Sequence, residues 1–340
     1  MSGSGFLSTI KMTGGRSSVS GIKATVFGAS GFLGSYVVNR LGKIGSFVLC
    51  PYRGDELYLR KLKPMGDLGQ INFYPMSIRN AAEIERAVAG SNVVINLMGI
   101  HAETSRWSFQ DIHATFPSVL ATICEEQGVE KFIHVSALGA SVDAPSKWAV
   151  SKAVGEELVK EAMPSATIVR PATLFGDEDR LLNRIAKVAQ SFPFMPLVNA
   201  DVAKTQPVFV DDVAAAIVDH CITGFDGDLL ELAGPKTYTY QELVNYTMKT
   251  INEPQNSISV PEPVGKALAF AVGQLPDPWL TLDGLRHQSA DCIRAGGGTG
   301  FEGLGIEPVA VEDVAERYLV RFRKQHLLID EDNIVRQPRV

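Results

Sequence analysis

Short apolar runs, each stopped by turn-forming residues, recur through the first half of the chain. They are ATVF (24–27), FVLC (47–50), a weaker INFY (71–74), VVINL (93–97), FIHV (132–135) and TIVR (167–170). Their length and their β-branched and aromatic content predict buried strands. Between them the apolar positions repeat with helical period, predicting helices over about 32–41, 81–89, 115–127 (ending near Gly128) and 148–162. Apolar strands alternating with helices imply parallel βαβ units and a sheet covered on both faces. The expected fold is α/β, a Rossmann-type doubly wound parallel sheet with a smaller C-terminal α/β lobe.

The regularity weakens after residue 175. FPFMP (192–196) and PEPVG (261–265) interrupt it. VFV (208–210) reads as a strand running into a helix with Asp211 as its N-cap. Residues 229–233 form another strand candidate, AGGGTG (295–300) a flexible loop, and 311–324 a last helix. The expected organisation is a flexible arm over 1–21 and an NADP-binding Rossmann domain over 22–175, with 206–234 packing back on it. The smaller lobe is then built from 176–205 and 235–340.

Composition narrows the function classes. The 340 residues are 45% hydrophobic and 21% charged, and the net charge of −6 argues against nucleic acid as a partner. No apolar run reaches the roughly 18–20 residues that span a bilayer; the most apolar stretch, 264–275, contains Lys266. Cys50, Cys124, Cys221 and Cys292 are scattered, and no CxxC, HExxH or HxH spacing suggests a metal site. They read as reduced, mostly buried thiols of a non-secreted protein. From Met1 to Gly54 there is no acidic residue, and the first twenty residues are rich in Ser, Gly and Thr. Such a start fits a disordered arm, and equally the remainder of a mitochondrial presequence.

The chemistry-bearing residues fall at the carboxyl ends of the predicted strands. Gly28, Gly31 and Gly34 form a GxxGxxG turn between the first strand and first helix, the context in which small residues let backbone approach a pyrophosphate. The second strand ends in PYR (51–53). An acidic residue there would bond a ribose 2′-hydroxyl, whereas Arg53 suits a 2′-phosphate, so NADP(H) is expected over NAD(H). The fourth strand ends in Leu97, Met98 and Gly99, with Gly99 small enough to border the adenosine ribose. The fifth ends in Val135 and Ser136. Lys152 lies one helical turn after Trp148 in SKWAVSK (146–152). A lysine so placed can hold a nicotinamide ribose. A tyrosine at the position of Trp148 would serve as proton donor, but an indole has no proton that titrates near neutrality. His134 reads as a structural strand residue. His101 and His113 fall in the loop after the fourth strand, where histidine is usually solvated, although one could face the site.

Together VFGASGFLG (26–34), KFIHVSALGA (131–140), IVRPATLFG (168–176) and QPVFVDDVA (206–214) resemble the extended and atypical short-chain dehydrogenase/reductase superfamily. TGGRSSVSGI (13–22), LKPMGDLGQI (62–71), NVVINLMGI (92–100), KAVGEE (152–157) and ATLFGDEDRLLN (172–183) are similar, more narrowly, to the nucleotide-binding accessory subunits of mitochondrial NADH:ubiquinone oxidoreductase, respiratory complex I. The first of these stretches looks most like the plant and green-algal forms, and the likeness covers about 13–234. The resemblance implies a tightly held NADPH outside the main electron path. It also implies a peripheral place on the matrix side of the inner membrane, near the arm junction and the quinone module, with other complex I subunits of the matrix arm as partners and a role in assembly and stability. The family often lacks the catalytic Tyr. The resemblance implies cofactor contacts at Gly28, Ser30, Gly31, Phe32, Leu33, Gly34, Arg53, Ser136, Lys152 and Pro171. The strand-end residues Leu97, Met98, Gly99, Val135, Ala172, Thr173 and Leu174 complete the expected set. No catalytic residue and no metal ligand are expected. Ser77 departs from the superfamily, which often has an acidic adenine contact there. The apolar, proline-bounded region 264–279 reads as a core helix or as a contact to membrane-arm subunits or lipid. An active NADP-dependent reductase or epimerase, built on Ser136 and Lys152 with a proton donor from the second lobe, is the alternative.

Overall fold

The structure, a computed structural model, describes residues 19–192, 195–197, 200, 203–224, 227–254, 257–273 and 280–323. The arm up to residue 18, Pro193 and Phe194 of the FPFMP stretch, and residues 274–279 lie outside these.

Seven parallel strands make one sheet: β1 (Lys23–Phe27), β2 (Phe47–Tyr52), β3 (Ile71–Pro75), β4 (Val93–Asn96), β5 (Lys131–Val135), β6 (Thr167–Pro171) and β7 (Leu229–Leu232). Their spatial order is β7-β6-β5-β4-β1-β2-β3. It is a Rossmann-like doubly wound sheet whose order reverses between β1 and β4, the crevice where such sheets take ligands. All of β4 is buried, as expected for a strand with helices on both faces.

The helices α1 (Phe32–Lys43), α2 (Ala81–Val88), α3 (Phe116–Glu126) and α4 (Lys147–Ala162) follow their strands in turn. α1 packs with α6 (Val210–Thr223) on one face, around Val37, Leu41, Val213 and Ile217. α2, α3 and α4 cover the other, around Ile84, Leu120, Phe132 and Val159. A third cluster lies beyond β6. It joins α5 (Leu182–Ser191) to α7 (Tyr240–Thr250) and the helix Val311–Leu319 through Ile185, Leu243 and Leu319. Two further helices follow in the chain, α8 (Glu262–Val272) and α9 (Leu282–Gln288), and α9 packs on α4. α8 buries Gly265 and Ala269 and leaves Val264 and Phe270 exposed.

Several sequence expectations need correction. α6 begins at Val210, with Phe209 at the N-cap and no side-chain cap. Asp211 lies inside the first turn, where its carboxylate takes two bonds of 2.8 Å from Arg40. AGGGTG is docked rather than free. The Thr299 N–H donates to the Leu229 carbonyl (2.8 Å) and the Thr299 carbonyl accepts from Glu231 (2.9 Å). The Glu231 carboxylate accepts the Gly296 and Gly297 N–H groups. Lack of side chains lets this segment lie against β7, since a β-carbon on Gly298 would crowd the Leu229 carbonyl; the segment thereby covers a sheet edge. The last helix stops at Leu319 and tightens into a 3₁₀ turn over Val320–Phe322. His113 is completely buried in a wide π turn, Asp111–Thr115, that leads into α3. All four cysteines are buried and unpaired.

Candidate cofactor site

The glycine turn stands at the strand-order reversal. Gly28 has φ of +82°, a conformation L side chains rarely adopt, and a β-carbon there would lie 3.1 Å from the Leu97 carbonyl and 3.2 Å from the Met98 nitrogen. The exits of β1 and β4 therefore touch at this point. A β-carbon on Gly34 would overlap the Gly28 carbonyl, so only glycine lets α1 start so close to β1. Gly31 is the N-cap of α1, no side chain caps the helix, and its first turn holds no acid. The Gly31 N–H donates to the Gly28 carbonyl at 3.0 Å, and the N–H groups of the first turn after it, at Phe32 and Leu33, are left uncapped for an anion. The Phe32 ring packs edge-on to Tyr36 (5.8 Å) and lies against Gly176.

Beyond β2, exposed Arg53 converges with Arg79 on one indole. The Arg53 guanidinium carbon is 5.2 Å and that of Arg79 4.3 Å from the Trp107 ring centre. Arg79 also donates to the Arg106 carbonyl at 2.8 Å. Neither Arg53 nor Arg79 pairs with a carboxylate among the described residues. Two cations gathered on an aromatic face form a positive corner suited to an anion.

At the other end, α4 brings Lys152 to the sheet. Its ammonium is buried and donates to the Val135 carbonyl at 3.2 Å. Burial lowers its pKa from 10.5 to about 8, and Glu156 on the same helix opposes the shift. Arg170 of β6 clamps Glu156 through contacts of 2.6–3.1 Å and lies 3.8 Å from Glu231 of β7, which fastens α4 to the sheet. Ser136 is buried and its hydroxyl has no partner among the described residues. Such an orphaned donor–acceptor costs free energy unless something bonds it. With the spare donors of Lys152 it fits a sugar hydroxyl and a carbonyl of a bound nucleotide. Gly99, assigned from the sequence to the adenosine ribose, borders this end: a β-carbon on it would be 3.5 Å from Lys152 Nζ and 3.6 Å from His113 Nε2. Past β6, the Pro171 carbonyl accepts from Leu138, Ala172 donates to Leu232, and the Thr173 carbonyl accepts from Val208. Leu174 begins a short strand beside Val208–Phe209.

Trp148 is half-buried one turn before Lys152, and its indole N–H donates to the Ile100 carbonyl at 2.9 Å. The ring is 4.8 Å from the His287 ring of α9. Asp283 of α9 accepts from Ser146 Oγ (2.9 Å) and from the Lys147 and Trp148 N–H groups (2.7 and 3.0 Å). A carboxylate from a distant helix thus satisfies the open donors at the start of α4 and favours its dipole. His134 bonds Asn96 at 3.1 Å and its Nε2 has no partner among the described residues; burial, with Lys152 nearby, lowers its pKa to about 3.

Arg79, Trp107 and Asp283 escaped the sequence reading, which gives His113 only as a loop histidine that could face the site. For His113 a signal existed, because Phe109, Ile112 and Phe116 carry helical spacing through the segment taken as loop. For Asp283 none did, since its partners are far away in sequence. Among the described residues no cluster of acids, histidines and cysteines could hold a metal, and no helix is long and apolar enough to cross a membrane.

Comparison with known proteins agrees with this fold. Residues 24–220 match the NAD dependent epimerase/dehydratase family. The chain is 41% identical to the NADH dehydrogenase [ubiquinone] 1 alpha subcomplex subunit 9, mitochondrial, of Arabidopsis thaliana, over 92% of this chain and 81% of that protein. The Mus musculus protein of the same name is 40% identical over 94% and 85%. In fold, the chain is similar to the dTDP-glucose 4,6-dehydratase DesIV of Streptomyces venezuelae, solved with NAD and TYD bound. The TM-score is 0.66 at 18% identity, covering 88% of this chain and 96% of that one. The chain belongs to the NAD dependent epimerase/dehydratase family and, within it, to the family of the mitochondrial NADH dehydrogenase [ubiquinone] 1 alpha subcomplex subunit 9.

Proposed function

We propose that this chain is a non-catalytic accessory subunit of mitochondrial complex I that holds NADPH as a structural part. The observation that carries the reading is the pairing on α4. Lys152 is buried with donors to spare, while the position one turn earlier holds Trp148, whose single polar atom is already bonded to Ile100. A cofactor can be gripped there, and the proton donor of a reductase is missing. The nucleotide, when bound, brings a hydride donor. The chain's own residues hold and orient it: the α1 N-terminus and the Gly28 turn take the pyrophosphate, and Ser136 and Lys152 take the nicotinamide ribose and its surroundings. A ligand that binds only the folded form stabilises it by about 4 kcal/mol at a thousandfold excess over Kd, which suits a role in assembly.

NADPH is preferred over NADH on the Arg53–Trp107–Arg79 corner. Replacing Arg53 by Ala is expected to weaken NADPH by about tenfold, the loss of one charge-assisted bond, and NADH by little. Equal losses in competition binding would remove Arg53 as reader of the 2′-phosphate.

The partners are other complex I subunits of the matrix arm and arm junction, with the chain peripheral on the matrix side of the inner membrane. The exposed Val264 and Phe270 of α8 fit a contact to membrane-arm subunits or lipid. The test is a tagged chain isolated from mitochondria and, separately, alone. It is expected to bring quinone-reductase activity with it, less so when Val264 and Phe270 are both changed to Asp. The free chain loaded with NADPH is expected to reduce no carbonyl substrate. Turnover by the free chain that disappears in Lys152→Ala would instead establish an active reductase or epimerase.

A further inference from the structure

Trp148 does more than occupy the place of an acid. Ile100, four residues past the end of β4, has both backbone polar groups held by side chains from other elements. Its N–H donates to His113 Nε2 at 3.1 Å, and its carbonyl accepts the Trp148 indole N–H at 2.9 Å. Because Nε2 of His113 accepts, Nδ1 carries the proton and donates to Ser151 Oγ at 2.9 Å. That hydroxyl donates in turn to the Trp148 carbonyl at 2.8 Å. The four bonds close a ring through Ile100, His113, Ser151 and Trp148. The ring ties the exit of β4, the π turn and α4 together.

Its members are fixed. His113 is completely buried, and burial, with the Lys152 cation next in effect, lowers its pKa to about 2, so it stays a neutral imidazole. The Trp148 ring meets His113 edge-on (6.2 Å, 89°), stacks on His101 (6.2 Å, 18°) and touches His287 (4.8 Å). A residue so enclosed keeps one rotamer and aims its N–H at one acceptor.

What the ring holds is Gly99 and Ile100, and Gly99 borders Lys152. We infer that Trp148 is a positioning residue: through its indole N–H, and with His113 opposite, it clamps the Gly99–Ile100 backbone over the pocket of Lys152 and so slows the release of the bound nucleotide. This rests on the proposal that the site holds NADPH. The chemistry separates Trp from Tyr here. A phenol both donates and accepts and can pass a proton on, whereas an indole only donates. The residue that cannot relay a proton is the one that braces a carbonyl.

Trp148→Phe keeps an aromatic ring and removes the donor. It is expected to speed NADPH release from the full chain about tenfold, equivalent to about 1.4 kcal/mol. It is also expected to speed hydrogen exchange at the Ile100 amide of the nucleotide-free chain by a similar factor, since opening of the ring exposes that N–H. His287→Ala removes one of the ring contacts around Trp148 and no bond of the ring, and should speed both rates less than Trp148→Phe does. Unchanged rates in Trp148→Phe would overturn the inference, as would equal acceleration in both variants, which would mean that packing and not the N–H matters. Should Trp148→Phe not fold, Ser151→Ala opens the same ring from the far side and is read in the same way. A wild-type chain without nucleotide would defeat the proposed function, while the Ile100 exchange would still decide the clamp.

Discussion

Lys152→Met is expected to release NADPH about 10–100-fold faster than wild type while leaving the nucleotide-free protein at least as stable. The gap follows from what the ammonium does in each state. Without nucleotide it is a buried cation with one bond to a backbone carbonyl, and an apolar side chain of similar length removes a desolvation cost. In the proposed binding mode its spare donors make charge-assisted bonds to the nucleotide worth about 1.5–3 kcal/mol. A side chain that only filled space would show no such split between melting temperature and release rate. The pH dependence has opposite signs for the two quantities. Burial lowers the Lys152 pKa from 10.5 to about 8. Between those limits the unfolded chain keeps a proton that the folded one has lost, so this group makes stability rise with pH across that window. The proposed grip on NADPH needs the protonated form, so affinity should fall as pH climbs through about 8. Both slopes should flatten in Lys152→Met; a pH profile identical to wild type would remove Lys152 from the binding site.

Gly155→Ala is expected to destabilise the chain by about 3 kcal/mol or more, at the upper end of what overpacking costs. A β-carbon at Gly155 would overlap the His113 carbonyl, which is backbone and cannot swing aside. α4 and the π turn would have to part, carrying Lys152 away from Val135 and His113 away from Ile100. Gly99→Ala is the contrast. Its new methyl would meet Lys152 Nζ and His113 Nε2 at ordinary contact distances, so thermal unfolding should move little. Denaturation curves in which the two variants shift alike would contradict the packing described for α4.

The main sheet was legible because parallel strands buried on both faces read as short runs of β-branched residues, and β1, β4 and β5 are of that kind. The Trp148–Lys152 pair was legible because helical period alone puts both on one side of α4. The parts missed depend on three-dimensional closure. His113 looks like a loop histidine until Gly155 lets the π turn settle on α4. Arg79 and Trp107 join Arg53 only when the exits of β2 and β3 and the loop after β4 come together. Asp283 caps a helix far from it in sequence. AGGGTG was read as mobile because glycine favours loops, yet the same lack of side chains lets it dock on β7. Asp211 carried an N-cap signature, but Arg40 claims its carboxylate inside the helix.

The central claim is that this fold keeps a 2′-phosphorylated nicotinamide nucleotide as a part of itself. A mass spectrum of the nucleotide released on denaturing the purified chain tests it most directly. NADPH or NADP in near one-to-one amount is the expected result. NADH or NAD in its place, or no nucleotide at all, would contradict it.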